Sequence, residues 1–375
     1  MAARRKKNVM TRAYRVFLNE TNQKKLVELK SFLARCRDIM QYFIDLHWQR
    51  QDFSAKLADL PTVHLAVKKF GITTRLAQAL GKQAKEIVAS QIKKKRQRKP
   101  CLKRHVVTLF YHFVTLEKWL GQHFDWAVRF VGSGAPRLII PVKSTQPLNH
   151  KLADGWAMAK TIRLGLRKGK VFIDLLVEKP KPDKKTTGLV VGMDSNYKNG
   201  MVFSDGQIAG QDIYQRIQGF AKRQKNTRSE IKSELGKALK QIDFSEVKMI
   251  AIEDLKKVKH GKRGTFSRVF NRRLSHWLYR YFATLLERRC EEIGIEVVRK
   301  DPFKTSQFCR QCRRWDRRNR KGDRFLCVNC GYGDHADLNA SKNLELLGLA
   351  GAYGLRSLLS SKCQSFGQPF RYNPL

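Results

Sequence analysis

The chain has 375 residues, and its 76 Lys and Arg against 32 Asp and Glu leave a formal net charge of +44. A hydrophobic content of 42%, with 10% aromatic residues, supplies enough apolar surface for folded cores and excludes a wholly disordered chain. Because single cores stop growing beyond about 250–300 residues, we expect two or three folding units. A net charge far above what solubility requires predicts a polyanionic partner.

The first part of the chain predicts helices. Apolar residues recur every three or four positions over 21–51 and again over 73–95, a spacing typical of long amphipathic helices. Thr21 or Asn22 is the expected N-cap of the first helix. Together with a shorter helix over 61–70, these elements predict a small helical subdomain.

A segment rich in β-branched residues follows the helices. Strands are predicted over 138–142, 161–166 and 171–177, and the last two are close enough in sequence to form a hairpin. Residues 179–185, which are rich in Lys and Pro, predict a linker. The first half of the chain therefore predicts a helical subdomain and a compact β unit.

The second half of the chain alternates strands with helices, which favours an α/β layer. A continuous apolar run at 188–193 predicts a buried strand, followed by a hairpin turn. The remaining elements are expected as strands over 201–203, 247–252 and 295–298 and as helices over 211–241 and 266–293.

The sequence patterns argue against a membrane protein and against a secreted protein. No uncharged run approaches the roughly 18 residues that a membrane span needs, and no apolar segment follows the basic residues of 1–11 as in a secretory signal. We therefore expect a soluble, cytoplasmic protein associated with the nucleoid. Disulfides are not expected in that compartment.

The position of the positive charge indicates its partner. Basic clusters occur at 93–99, 256–263 and 313–321, beside separate structural elements. A membrane binder concentrates its charge in one tail or one amphipathic helix, whereas these clusters suit a long phosphate backbone. Any one cluster is also explained as a solvated face, so the argument for nucleic acid rests on the total charge.

Four of the eight cysteines form a metal-binding pattern. Two Cys-x-x-Cys pairs, separated by fourteen residues, place two thiolates on each of two tight turns, and Gly331 follows the second pair. Four thiolates with no open position predict one structural Zn²⁺. The predicted zinc ligands are Cys309, Cys312, Cys327 and Cys330. The other cysteines are expected to be ordinary packing residues.

Three carboxylates stand at the ends of predicted elements. Asp194 ends the apolar run at 188–193, Glu253 ends the strand over 247–252, and Asp337 begins a helix. Open α/β sheets place their sites at such strand ends, and phosphodiester hydrolysis by two Mg²⁺ ions needs clustered oxygen ligands. Each acid alone is also explained structurally, as a turn former, a strand-end residue or an N-cap.

The order of these features resembles the RuvC-like nucleases, and specifically the transposon-encoded TnpB family, a relative of the compact type V CRISPR effectors. The resemblance covers roughly 188–347. It rests on the four cysteines and on the ordered motifs Gly192-Met193-Asp194, Ile252-Glu253-Asp254-Leu255, Thr305-Ser306-Gln307 and Asp337-Leu338-Asn339-Ala340-Ser341-Lys342-Asn343. The N-terminal half matches only in layout.

The resemblance implies a fold and a division into domains. It implies an α/β RNase H-like nuclease domain with an inserted zinc ribbon, preceded by a β-barrel-like wedge domain that a helical recognition lobe interrupts. In chain order the implied parts are a first wedge part (1–20), the recognition lobe (21–105), a second wedge part (106–180), a first nuclease part (181–300), the zinc ribbon (301–333), a last nuclease part (334–350) and a C-terminal tail (351–375).

The resemblance also implies an RNA-guided DNA endonuclease. Asp194, Glu253 and Asp337 are the expected catalytic residues and the ligands of two Mg²⁺ ions, and the four cysteines are the ligands of one Zn²⁺. A guide RNA, carried by a single copy of the protein, is expected to neutralise much of the charge and to pair with one strand of double-stranded target DNA. The protein itself is expected to read only a short adjacent motif.

Two departures from the family pattern do not touch the acids. Ser195-Asn196 replaces a small residue and Gly after Asp194, and Asn adopts a left-handed backbone more readily than most residues; Ser341 replaces a usual Ala. Arg320 or Arg324 is a candidate for contact with the scissile phosphate, although contact with other phosphates of the backbone or a solvated face is the favoured explanation of either arginine.

Three alternatives remain at this stage. The chain is compatible with a catalytically silent, guide-dependent DNA-binding repressor, although three intact acids argue against that function. It is also compatible with a compact type V effector that uses a CRISPR RNA. A zinc-ribbon RNA-binding structural protein, as in ribosomes, gives no reason for acids at two strand ends.

Overall fold

The computed structural model describes residues 8–53, 58–119, 121–196, 198–213, 215, 227–255 and 278–360. The chain divides into two compact units, Met1–Pro180 and Lys181–Leu375, and the division falls within the predicted linker at 179–185. Within the described ranges, no helix has the length and apolar character needed to cross a membrane.

The helices of the first unit lie where the periodicity predicts them. They are α1 (Gln23–Gln49), α2 (Leu60–Phe70) and α3 (Thr74–Lys93). Asn22 caps α1 by accepting a hydrogen bond from the amide of Lys24, and Thr73 caps α3 in the same way. One face of each helix is buried in the core of this unit, as an amphipathic pattern requires.

The strands of the first unit form two antiparallel sheets. They are β1 (Val9–Phe17), β2 (Val106–Phe110), β3 (Val114–Lys118), β4 (Trp126–Phe130), β5 (Ile139–Val142), β6 (Ala157–Arg167) and β7 (Lys170–Pro180), with helix α4 (Gln146–Ala153) before β6. One sheet has the order β1-β7-β6-β2 and the other the order β3-β4-β5. The predicted hairpin is confirmed: Arg167 pairs with Lys170, and Lys168 and Gly169 both have positive φ, as a two-residue turn of type I′ requires.

The second unit contains a mixed five-stranded sheet. Its strands are β8 (Leu189–Asn196), β9 (Gly200–Phe203), β10 (Ile208–Ala209), β11 (Val247–Glu253) and β12 (Glu296–Lys300), in the order β10-β9-β8-β11-β12. Strands β8, β11 and β12 are parallel, and β9 turns back against β8. The carboxyl ends of β8, β11 and β12 therefore meet at one edge of the sheet.

Helices cover this sheet on both faces. They are α5 (Thr227–Lys240), α6 (Tyr279–Glu292) and α7 (Ala336–Leu349), and a short helix, α8 (Leu355–Ser360), follows α7. Val191, Met193, Ile250 and Ile252 pack in one apolar core with side chains of α5 and α6. Because side chains alternate along a strand, the other face of β8 and β11 is presented to α7. Of the helices predicted over 211–241 and 266–293, residues 214, 216–226 and 266–277 lie outside the described residues, as does the basic cluster at 256–263.

A small three-stranded ribbon separates β12 from α7. Its strands are β13 (Arg320–Lys321), β14 (Arg324–Leu326) and β15 (Gly333–His335), all antiparallel, and a short 3-10 turn at Arg317–Asn319 precedes them. Cys309 and Cys312 lie in the loop before the ribbon, and Cys327 and Cys330 lie in the loop between β14 and β15. The ribbon leads directly into α7, since Ala336 follows His335.

Candidate active site and metal centre

A close contact between β8 and α7 determines the position of both elements. A Cβ atom on Gly192 would lie 1.8 Å from the carbonyl oxygen of Ser341 and 2.4 Å from the amide nitrogen of Glu345, so only glycine allows this approach. Further along, a Cβ on Gly348 would lie 3.0 Å from Val190. Strand β8 and helix α7 therefore run past each other in opposite directions.

This direction brings two of the predicted acids together. Asp194 lies two residues after Gly192 and shares its face of β8, because side chains alternate along a strand. Since α7 runs the other way, Asp194 points towards the helix N-terminus, where Asp337 lies in the first turn. Asp194 is 7% exposed and Asp337 is 1% exposed, so both carboxylates are buried.

The register of the sheet places the third acid beside the first. Ala251 pairs with Gly192 and Ile252 with Met193, so Glu253 follows in the position next to Asp194. The face of Ala251 is also the face towards α7, because a Cβ on Gly348 would lie 3.3 Å from it. Glu253, two residues later, therefore projects on the same side as Asp194.

Burial and charge raise the pKa of Glu253 to about 7. Desolvation is the main cause, and the neighbouring carboxylates Asp337 and Asp301 add to it. A hydrogen bond from the Thr305 hydroxyl, 3.0 Å from Oε1, and the positive charge of Arg320 act in the opposite direction. Asp337 and Asp301 thus lie close enough to Glu253 to oppose its ionisation, and a bound cation relieves that repulsion.

Asp337 is held by several polar groups. The side-chain amide of Asn199, in the turn between β8 and β9, donates to Oδ2 at 2.6 Å, and Nη2 of Arg320 lies 3.6 Å from Oδ1. His335 caps α7 by accepting a hydrogen bond from the Asp337 amide. The positive end of the helix dipole also favours a carboxylate in this first turn.

The structure distinguishes the two candidate arginines. The side chain of Arg320 is directed at Asp337 and also donates to the carbonyl oxygen of Gly322 at 3.0 Å. Arg324 is exposed on β14, where it is paired with Lys321 and His335. Of the two, Arg320 is the one beside the acids.

The acids do not form a ligand set for one ion. Among the described residues, the group of at least three His, Cys, Asp or Glu whose ligand atoms lie within 4.8 Å of one another is the four cysteines, not the three acids.

The four cysteines do converge. Sγ of Cys312 lies 3.5 Å from Sγ of Cys327, and Sγ of Cys309 lies 3.7 Å from Sγ of Cys330. A tetrahedral Zn²⁺ with bonds of about 2.3 Å separates its sulfurs by about 3.8 Å, so the cluster has the size of a zinc site. The sequence prediction of these ligands agrees with the geometry.

The thiols of the cluster differ in their tendency to ionise. Burial opposes ionisation of Cys312, but hydrogen bonds from the Arg314 amide and from the other three thiols lower its pKa to about 7. Burial raises the pKa of Cys309. A metal that binds thiolates supplies the positive charge that such a buried group of sulfurs lacks.

Sequence reasoning missed some of the residues that surround the acids. Asn199 and Thr305 each lie within hydrogen-bond distance of a predicted acid. Both occur in segments that the sequence singled out, a hairpin turn and the Thr305-Ser306-Gln307 motif. Their contacts were not visible there, because they depend on side chains more than fifty residues apart in the chain.

One segment of the chain, from the start of α6 into α7, matches a known family of protein domains. Residues 279–344 match the family model described as "Cas12f1-like, TNB domain". A segment of 77 residues is 39% identical to "CRISPR-associated endodeoxyribonuclease Cas12f1" of Sulfoacidibacillus thermotolerans. This match covers 20% of the present chain and 18% of that protein, so the chain matches the relative over less than a fifth of its length.

The fold is similar to that of a larger solved assembly. The chain superposes on a protein in the "Cryo-EM structure of the Cas12f1-sgRNA-target DNA complex" with a TM-score of 0.54 and 14% identity, over 88% of this chain and 83% of that one. The mixed α/β fold is thus similar to that of a compact Cas12 nuclease. The sequence matches cover only part of the chain, the structural match concerns the fold, and none of them is specific for TnpB.

Proposed function

We propose that this protein is an RNA-guided DNA endonuclease of the compact type V and TnpB-like kind. The proposal rests on the positions of Asp194 and Glu253 on neighbouring parallel strands and of Asp337 in the first turn of the helix that packs on those strands and directly follows the four-cysteine ribbon. The local match to a Cas12f1 endodeoxyribonuclease and the similarity in fold support the same activity. TnpB itself is our narrower proposal, with a type V effector using a CRISPR RNA as the alternative.

The three acids are the proposed ligands of two Mg²⁺ ions. Asp337 opposes the ionisation of Glu253, and the positive charge of Arg320 lies beside both of these carboxylates. Oxygen ligands in such a group suit Mg²⁺. When bound, the ions supply charge neutralisation of the phosphate and a water of lowered pKa.

The chain's own residues orient the reacting groups. The dipole of α7 and the amide of Asn199 hold Asp337, and the Thr305 hydroxyl holds Glu253. Arg320, partly exposed beside Asp337, is placed to donate hydrogen bonds to a scissile phosphate. Arg324, exposed on the next strand, is proposed to contact phosphates further along the backbone.

The partners follow from the charge and the proposed activity. A guide RNA neutralises much of the +44 charge, and its pairing with one strand selects a site in double-stranded DNA. We propose one protein copy for each RNA. The first unit, with its helices and antiparallel sheets, corresponds in this proposal to the wedge domain (1–20 and 106–180) and the recognition lobe (21–105).

The second unit corresponds to the remaining proposed parts. They are a RuvC-like, RNase H-like nuclease domain (181–300 and 334–350), the zinc ribbon (301–333) and a tail (351–375). Four thiolates leave no open coordination position, so the ribbon's Zn²⁺ is structural in this proposal.

The experiment purifies the protein with its co-purifying RNA and sequences that RNA. Linear DNA matching the RNA is then offered with Mg²⁺ to the wild type, to Asp194→Ala and to Glu253→Gln. We expect the wild type to cleave and both variants to bind DNA without cleaving it. Glu230→Gln, which changes an exposed acid in the first turn of α5, is the matched control and should cleave normally.

Each alternative function gives a different result. Guide-dependent binding without cleavage by the wild type would identify a repressor. Binding of RNA without any guide-dependent DNA binding would identify a structural RNA-binding protein. The sequence of the bound RNA separates a transposon-end guide from a CRISPR RNA.

A further inference from the structure

Two asparagines of α7 hold the chain segment that leads into the first cysteine pair. The side-chain amide of Asn343 donates to the carbonyl oxygens of Thr305 and Phe308, both at 2.8 Å. The amide of Asn339 also donates to Phe308 at 2.8 Å, and its oxygen accepts from the amide of Arg310 at 3.3 Å. Both asparagines are 0% exposed. We call these contacts the asparagine ladder.

The segment held by the asparagine ladder also reaches the acidic site. Thr305 is 2% exposed, and its hydroxyl lies 3.0 Å from Oε1 of Glu253 and 3.3 Å from the carbonyl oxygen of Pro302. A hydroxyl has one proton, and the charged carboxylate is the stronger and closer acceptor. Thr305 therefore donates to Glu253 through its side chain while Asn343 holds its backbone.

The asparagine ladder thus connects two of the three acids, Asp337 and Glu253. Asp337 lies two residues before Asn339 on the same helix, and Glu253 receives the hydroxyl of Thr305. The contact of α7 with the sheet is made separately, by Gly192 and Gly348. The asparagine ladder adds a hydrogen-bonded connection from α7 through Thr305 to Glu253.

We propose that Thr305, Asn339 and Asn343 are positioning residues that set the geometry of Glu253 relative to Asp337, and with it the affinity of the acidic site for divalent cations. This inference rests on the proposed function. A carboxylate at a strand end rotates freely unless a hydrogen bond fixes it, and buried hydrogen bonds are strong because the surrounding dielectric is low. Loss of hydrogen bonds behind metal ligands typically costs 10–100-fold in metal affinity or activity.

The test compares two substitutions of one residue. Thr305→Val keeps the shape of the side chain and removes the hydroxyl, whereas Thr305→Ser keeps the hydroxyl. Ser341→Ala is the matched control. Ser341 is also 0% exposed on α7, but its hydroxyl donates to the carbonyl oxygen of Leu338 within the helix, at 2.8 Å, and not to the segment 305–310 that the asparagine ladder holds. All variants are full-length proteins with their co-purified RNA.

The main measurement is the affinity for Mn²⁺, followed by electron paramagnetic resonance without any cleavage. We expect Thr305→Val to weaken Mn²⁺ binding about 10-fold or more, with Thr305→Ser and Ser341→Ala within about threefold of the wild type. The Mg²⁺ concentration that gives half-maximal cleavage should rise in parallel. Zinc content, which reports on the ribbon, should be the same in all variants.

A second variant guards against a failure of Thr305→Val to fold. Asn343→Leu keeps a similar side-chain volume and removes the hydrogen bonds to the carbonyl oxygens of Thr305 and Phe308. This variant should weaken Mn²⁺ binding by about the same factor as Thr305→Val. Wild-type Mn²⁺ affinity in a folded Thr305→Val or Asn343→Leu variant overturns the proposal. An equal loss in Thr305→Ser and Thr305→Val also overturns it, because the hydroxyl is then not the cause.

One further variant separates this inference from the proposed function. If Asp194→Ala leaves Mn²⁺ binding unchanged, the acids are not the metal site and the proposed function fails, together with the inference that rests on it. If Asp194→Ala weakens binding and Thr305→Val does not, only the positioning role is wrong.

Discussion

Substitution of Gly192 by alanine tests the contact on which the acidic site depends. The new Cβ atom would lie 1.8 Å from the Ser341 oxygen and 2.4 Å from the Glu345 nitrogen. Both are backbone atoms of α7, so a change of rotamer does not relieve the overlap. Because atoms in contact lie about 3.5 Å apart, β8 and α7 would have to separate by roughly 1.5 Å.

That displacement has a cost in stability and in rate. Overpacking of this kind costs about 1–3 kcal/mol, and α7 carries Asp337 with it. A misplacement of about 1 Å in a catalytic group costs on the order of 10²-fold in rate. We therefore expect Gly192→Ala to lower the thermal midpoint by several degrees and to cleave guide-matched DNA about 100-fold more slowly.

The matched control is Gly236→Ala, in the same unit. A Cβ on Gly236 meets nothing within 4 Å, and alanine is favoured over glycine inside a helix by roughly 0.5–1 kcal/mol. Gly236→Ala should therefore be as stable as the wild type or slightly more stable. The assays are thermal unfolding and single-turnover cleavage. A Gly192→Ala protein with the stability and cleavage rate of the wild type would refute the close packing of β8 on α7.

Three further predictions address the ribbon and the first unit. Cys327→Ser should remove the bound zinc, measured by elemental analysis, while Cys101→Ser, at an exposed site, should retain it; equal zinc content in the two would show that the cluster is not the site. Arg313 has a φ of 59°, so Arg313→Gly should stabilise the ribbon by about 1 kcal/mol, measured as slower zinc loss to a chelator, and faster loss would contradict this. Burial lowers the pKa of His47, which is stacked on Phe43. As the pH falls, this histidine therefore takes up a proton in the unfolded chain before it does so in the folded protein. The free energy of unfolding should decrease as the pH falls below about 6.5. Thermal midpoints from pH 7.5 to 5 should show a smaller loss in His47→Phe than in the wild type, and an equal loss would be evidence against this role.

Local patterns in the sequence predicted helices α1 to α3 of the first unit and strands β8, β9, β11 and β12 of the second, but not helix α4 or the short strands β10 and β13 to β15. The three- and four-residue apolar spacing located α1 and α3 to within a few residues, because an amphipathic helix depends on its own sequence. Strands β1 to β4 were not predicted. Strand β1, for example, pairs with β7 more than 150 residues away, and its single buried face leaves a weak pattern.

The zinc ligands were readable from the sequence for a physical reason. Each Cys-x-x-Cys pair puts two sulfurs on one turn, so half of the coordination shell is local. Only the joining of the two turns requires tertiary structure, and the sulfur separations of 3.5 Å and 3.7 Å agree with the prediction.

The acidic site is different, since the sequence by itself determined only its residue types and their order. Glu253 ends β11 and Asp337 lies in the first turn of α7, but Asp194 does not end its strand as predicted, because β8 continues to Asn196 in its hairpin with β9. Tertiary structure decided that β8 and β11 are parallel neighbours and that α7 runs back across them at Gly192. It also decided which side chains, Thr305 and Arg320 among them, face the acids. Such contacts depend on sheet register and helix packing, which arise from long-range pairing and leave no local pattern in the sequence.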